Sequence, residues 1–149
     1  MLRSIKDNGG CLNEQIKVSV IVVTYNHEKY IAKAINSILA QETDFKYEIL
    51  IGDDASTDST ADIVMQYASQ NPDIIKAVCR EKNVGATKNA YSLLKSAKGK
   101  YLATLEGDDM WTDVNKLKLQ VDFLEDNPQF IACAHKFYFA DEEGLDISV

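Results

Sequence analysis

The run Lys17–Thr24, KVSVIVVT, is apolar almost throughout, with only Ser19 interrupting it. A strand with one wet face alternates apolar and polar residues. A run that is apolar in both registers marks a strand buried on both faces, as in parallel sheets covered by helices. The rest of the chain fits that architecture. Glu28–Gln41 places Ile31, Ile35, Ile38 and Leu39 at helical spacing. Further strands are expected over Tyr47–Gly52, Ile74–Arg80 and Lys100–Glu106, with helices over Ser59–Ser69, Gly85–Lys98 and Asp113–Asp126. Asn71-Pro72-Asp73 stops the second helix, since proline cannot continue one, and Gly99 reads as the C-terminal residue of the third. Pro128 releases the chain into a last expected strand, Phe130–Ala140. This alternation predicts an α/β domain: a mostly parallel open sheet, helices on both faces, right-handed crossovers.

Two of the expected strands end alike. Tyr47–Asp54 and Tyr101–Asp109 are each an apolar run, a glycine and two adjacent aspartates. The glycines read as points where the chain turns sharply out of the sheet. Open α/β sheets bind ligands outside the carboxyl ends of their strands. Adjacent carboxylates repel, so Asp108-Asp109 calls for a compensating cation, and a hard divalent metal that also holds a diphosphate supplies one. The alternative is a solvated turn with an aspartate capping the next helix. Two such ends favour one cleft lined from two sides. The turn after the first strand, Thr24-Tyr25-Asn26-His27, lacks the Gly-x-Gly-x-x-Gly of a dinucleotide site. Its tyrosine offers a face for a nucleobase to stack on, or else packs over the sheet edge.

Charge and composition narrow the partners. A net charge of −7 excludes a phosphate-coating nucleic-acid binder, which carries a basic stripe. No stretch approaches the roughly 20 apolar residues of a membrane span. Residues 1–15 read as a flexible polar leader without a signal-peptide core, 16–141 as the α/β domain and 142–149 as a polar tail. Cys11, Cys79 and Cys133 show no metal-ligand spacing; Cys79 and Cys133 lie in apolar runs and are expected in the core, in a reducing cytoplasm. His27 and His135 have no partner at ligand spacing and read as structural.

Four segments in order carry a family resemblance: Val18–Asn26, Ile51–Asp58, Asn83–Asn89 and Glu106–Trp111. Over about Lys17–Ala140 the chain resembles the nucleotide-sugar-binding part of a family 2 glycosyltransferase with the GT-A fold. The resemblance implies that Val23, Thr24, Tyr25 and Asn26 hold the nucleobase, with Tyr25 stacking on it, and that Asp54 hydrogen-bonds the base edge, uracil being preferred. It implies that Gly85 and Lys88, in an Asn-x-Gly-x-x-x-Arg-Asn-like segment, contact the nucleotide and its phosphates. Lys88 stands where that pattern has arginine, keeping the charge but losing bidentate geometry. By the same resemblance Asp108 lies near the ribose and sugar, while Asp109 ligates Mn²⁺ or Mg²⁺ bridging the phosphates. Trp111 either walls the sugar pocket or staples the next helix.

The implied partners are a nucleoside-diphosphate sugar donor and a sugar or glycan acceptor, joined by inverting transfer. The acceptor-binding part and the catalytic base are expected beyond Val149, with Asp141, Glu142, Glu143 and Asp146 reading as tail. The chain is therefore expected to bind donor without transferring sugar, and its uncovered apolar surfaces predict either a homo-oligomer or a sticky monomer. Two other readings compete. A sugar nucleotidyltransferase would show a Gly-rich basic loop after the first strand, and a receiver-like Mg-binding signalling domain an acidic pair there. Thr24-Tyr25-Asn26 is neither.

Overall fold

A computed structural model describes residues 15–140. The expected leader, apart from Gln15, and the polar tail lie outside the described residues. The elements are β1 (Val18–Thr24), α1 (Ile31–Leu39), β2 (Tyr47–Asp53), α2 (Thr60–Gln70), β3 (Ile75–Cys79), α3 (Ala86–Leu94), β4 (Tyr101–Glu106) and α4 (Lys116–Asp126). The four strands form one parallel sheet in the order β3-β2-β1-β4, with Val22 level with Ile51 on one side and Leu105 on the other. β1 is central and buried along nearly its whole length, as its composition requires.

Successive strand residues face opposite sides, so each strand feeds two cores. Ile21 and Leu50 pack with Leu93 of α3, joined by Val23 and Ala97. On the alternate register Val20, Val22, Ile49 and Ile51 are fully buried, while α2 packs on β2, β3 and α1. α1 buries Ile31, Ala34, Ile35 and Ile38 along one stripe, the helical spacing seen in its sequence.

Polar groups bury themselves at the amino end of the sheet. Glu48 is 1 % exposed, and its carboxylate accepts from Ser19 Oγ (2.8 Å), Lys98 N (2.8 Å) and Lys76 Nζ (2.7 Å). Burial pushes the Glu48 carboxyl up, but the bonds from Lys76, Ser19 and Lys98 outweigh it and hold it below the usual carboxylate range. This cluster explains why α3 is shorter than Gly85–Lys98. The chain leaves the helix at Lys95, and the N–H groups of Lys98 and Gly99 turn to Ser19 Oγ, at 3.1 and 2.8 Å. Gly99 is therefore not a helix terminus. A Cβ on it would stand 2.4 Å from Ser19 N, so the residue is small because two backbones meet there.

The chain divides into two compact units after Lys118. In the second, Phe123 stacks on Phe130 at 5.7 Å, and Phe137 meets Phe139 edge-on at 5.5 Å. Phe130–Ala140 is not the expected strand: it is irregular, with one isolated bridge at Ala140. An apolar run becomes a strand only when a partner satisfies its backbone groups, and among the described residues none pairs with it over this length. Cys79 and Cys133 are not core residues. Cys79 is exposed on the edge strand β3, and Cys133 is half-buried in the irregular segment. Leu102, Leu119 and Phe123 are exposed, so apolar surface on β4 and α4 does stand uncovered.

Candidate functional site

The loops leaving β1 and β2 are bonded across to each other. Asn26 takes a left-handed backbone (φ 55°), which lets its N–H donate to Ser56 Oγ at 2.9 Å while its Oδ1 accepts from Thr57 N at 2.8 Å. His27 N donates to Thr60 Oγ1 (2.8 Å), Glu28 N to Asp58 Oδ2 (3.2 Å), and Ser59 N to Glu28 Oε2 (3.0 Å). Asp53 accepts from Ser56 N and, through a short bond, from Ser56 Oγ. Asp58 accepts from the Thr60 hydroxyl and N–H. Burial raises the Asp58 carboxyl, but these two bonds, with the one from Glu28 N, hold it below the usual range. Ala55, at φ 63°, completes the second turn.

The carboxyl end of β2 is wholly buried. Asp54 is 3 % exposed, and its two oxygens accept the N–H groups of Val84 (2.9 Å) and Gly85 (2.8 Å). Asn83 Nδ2 donates to the Asp54 carbonyl at 3.0 Å, and Gly85 (φ 89°) turns the loop into α3. A buried carboxylate needs a counter-charge, and Arg80 Nε lies 4.0 Å away. Arg80 also donates to Asn89 Oδ1 (3.0 Å) and to Ser92 Oγ, while Asn89 Nδ2 donates to Gly52 O at 2.7 Å. A Cβ on Gly52 would stand 2.3 Å from Asn89 Oδ1. Gly52 is thus inside the strand to admit a side chain, and not, as its sequence position led us to expect, to turn the chain.

The carboxyl end of β4 is different in kind. Gly107 N donates to Val23 O (2.9 Å) and Asp109 N to Glu106 O (3.1 Å), and Asp108 and Asp109 both face solvent. Partial burial, then the charge of Asp108, raises the Asp109 carboxyl above the usual range, with His27 opposing. Gly107, too, serves closeness rather than a sharp turn: its φ is not positive, and a Cβ would stand 2.5 Å from Thr24 Oγ1 and 2.8 Å from His27 Nδ1. Downstream the chain is pinned to α1 and to Gln41 just past its end. Trp111 N donates to Ser37 Oγ (3.1 Å), Gln41 Nε2 to Asp113 O (2.8 Å), and Leu117 N to Gln41 Oε1 (2.9 Å).

Between these strand ends lies a cleft of about 280 Å³. Of the residues expected at a site, Val23, Thr24, Tyr25, Asp54 and Gly85 line it, with Tyr25 presenting a half-open ring. Asn26 does not line it; its side chain is spent on Thr57. Lys88 projects into solvent from the first turn of α3. Asp108 meets the cleft only through His27, whose Nε2 is 3.7 Å from Asp108 Oδ2. Trp111 is buried beneath Lys116, whose Nζ lies 3.8 Å from the ring centroid, and takes no part in the lining. His135 is exposed. Sequence reasoning missed His27 and Glu106 as lining residues and Arg80 behind them, while Asn83 and Asn89, the ends of the segment expected at the nucleotide, do line the cleft. Arg80 carries a faint signal, being one of two arginines and closing a strand in an acidic chain.

The residues present suit a divalent cation of a particular kind. Among the described residues no three His, Cys, Asp or Glu side chains gather as a metal cage. Two adjacent solvent-facing carboxylates, one with a raised proton affinity, match instead a cation held by one or two carboxylates with ligand phosphates completing its shell.

The profile of Glycosyl transferase family 2 matches residues 19–147. An uncharacterized protein of Mycobacterium tuberculosis, Rv1520, is 40% identical over 127 residues, 85% of this chain and 37% of the relative. The structure of S. aureus TarS 1–349 in complex with UDP superimposes with a TM-score of 0.66 at 35% identity, covering 76% of this chain and 33% of that one. The mannosyltransferase PcManGT of Pyrobaculum calidifontis, in complex with GDP-Man and Mn²⁺, gives 0.67 at 29% identity, with 76% and 33% covered. The chain thus spans about a third of the length of these proteins.

Proposed function

This chain belongs to glycosyl transferase family 2, and from that premise we propose that its cleft binds a nucleoside-diphosphate sugar, with uridine as the nucleoside, for inverting transfer of the sugar to an acceptor hydroxyl. One observation carries the reading: a half-exposed tyrosine and a loop fastened by a buried aspartate share a cleft at the carboxyl ends of parallel strands, and the next strand end bears two exposed carboxylates. The complex of TarS with UDP supports the choice of nucleoside, and that of PcManGT with Mn²⁺ supports a metal.

Each residue then has a task. Tyr25 stacks on the base, an interaction worth roughly 1–3 kcal/mol that any base can make. Asp54 holds the Val84-Gly85 backbone as the cleft wall and keeps unused lone pairs for the base edge. Lys88 supplies a point charge on the phosphate side. Asp108 and Asp109 hold Mn²⁺ or Mg²⁺, which when bound neutralises the charge that develops on the departing diphosphate. The acceptor and its base are assigned to no described residue.

Calorimetry tests this. UDP should bind in Mg²⁺ or Mn²⁺ at least about tenfold more tightly than in EDTA, and Asp109→Asn should remove that difference while leaving the thermal transition in place. Tyr25→Ala should weaken UDP and GDP alike, and Asp54→Ala should erode the preference between them. Equal UDP affinity with and without metal would remove the metal, and tighter binding of GDP would remove the uridine assignment.

A further inference from the structure

Two buried polar atoms in the cleft wall, Thr24 Oγ1 and His27 Nδ1, have no hydrogen-bond partner among the described residues. Buried polar groups are almost always paired, so two orphans at one place require an explanation. They crowd the same point, the space that a Cβ on Gly107 would fill. Thr24 is 3 % exposed and lines the cleft. The other ring nitrogen of His27, Nε2, lies 3.7 Å from Asp108 Oδ2. A neutral imidazole offers one N–H and one lone pair, and which nitrogen carries the proton is set by the bond the other makes. A hydroxyl beside Nδ1 can donate to it, and the proton then belongs on Nε2, facing the carboxylate.

We infer that Thr24, His27 and Asp108 form a positioning relay: Thr24 Oγ1–H donates to His27 Nδ1, His27 Nε2–H donates to Asp108 Oδ2, and the Asp108 carboxylate is thereby aimed at the cation that holds the donor diphosphate. The relay rests on the donor-binding reading above. His27 is a positioning residue in it, and neither a metal ligand nor an acid or base. The backbones are already fixed, since His27 N is held by Thr60 Oγ1 and Gly107 N by Val23 O. Neither bond is closed in this structure, so the side chains must turn to form the relay, and such bonds commonly tighten when a ligand arrives. Gly107 is required because any side chain there would stand inside the relay.

Two measurements decide it. The chain has two histidines, so ¹⁵N spectra in mildly alkaline buffer resolve both rings, with exposed His135 as the reference. His27 should carry its proton on Nε2, and either Thr24→Val or Asp108→Asn should shift it toward a mixture of tautomers. A proton on Nδ1 in the unaltered protein, or a tautomer indifferent to both substitutions, would overturn the relay. In calorimetry with UDP and Mg²⁺, His27→Phe should weaken binding by about tenfold, while His27→Gln, whose amide N–H reaches to the position of Nε2, should stay within about threefold of the original. In EDTA the two variants should bind UDP alike, so that only the metal-assisted gain separates them. Equal losses in the two variants with Mg²⁺, or a difference between them that persists in EDTA, would refute the positioning role. If the unaltered protein shows no metal-assisted UDP binding, the donor reading fails, and the tautomer measurement, which needs no nucleotide, still decides the relay.

Discussion

Ala55→Gly should make this protein more stable, against the usual direction of such a change. Ala55 sits at φ 63° in the turn between β2 and α2. A left-handed backbone costs a residue with a Cβ about 1–2 kcal/mol, a cost glycine escapes. Glycine also gives the unfolded chain more freedom, which takes back roughly 0.4–1 kcal/mol. The difference leaves a net gain of about 0.5–1 kcal/mol, or a melting temperature higher by about 3 °C for a domain of this size. Differential scanning calorimetry on the full chain measures it. Ala61→Gly, in the first turn of α2, serves as the opposite control and should lower stability by up to about 1 kcal/mol, the cost in a helix interior. If Ala55→Gly lowers the transition as Ala61→Gly does, the strain argument is wrong. The turn follows Asp54, so UDP affinity in the stabilised variant also reports whether the strained backbone aids the cleft or merely tolerates its place beside it.

Two further outcomes follow from the same geometry. Glu48 has a depressed carboxyl, so its contribution is present above the ordinary carboxylate range and is lost as pH falls through its folded value; melting temperatures taken from neutral pH downward should therefore fall less steeply in Glu48→Gln than in the unaltered protein, and parallel curves would refute the assignment. Gly107→Ala should destabilise by about 1–3 kcal/mol in urea titrations, because its methyl group overlaps Thr24 and His27 on fixed backbone, and no loss would mean that the wall gives way freely.

The sheet was legible in the sequence because burial writes itself locally. KVSVIVVT is apolar in both registers since β1 lies between β2 and β4 with a helix layer on each face, and Ile31, Ile35 and Ile38 recur at the helical period because one stripe is covered. What stayed hidden depends on partners distant in sequence. Phe130–Ala140 has a strand's composition but no strand to bond with among the described residues. The helix expected to reach Lys98 stops at Leu94 because of Ser19 and Glu48, 79 and 50 residues earlier. The cleft was read from its motifs, so Tyr25 and Asp54 were expected where they line it, and Asn89 only as the end of a segment, while Arg80, which fixes the wall with Asn89 and Gly52, was not expected there. Gly52 and Gly107 were noticed for the wrong property. A sequence shows that a residue is small, and only the neighbours show why.

The six bonds that cross from the β1–α1 loop to the β2–α2 loop and the first residue of α2 make those loops one mechanical part. A ligand arriving at such a wall finds its entropy already surrendered during folding, so less of the contact energy is consumed in arranging the receptor. The same stitching ties the two loops together as the sequence drifts. A replacement at Asn26 removes the acceptor of Thr57 and a replacement at Glu28 that of Ser59, so a change in one loop is felt in the other as a lost bond. Substitutions in the turn after β1 should therefore be tolerated in pairs drawn from both loops where neither is tolerated singly.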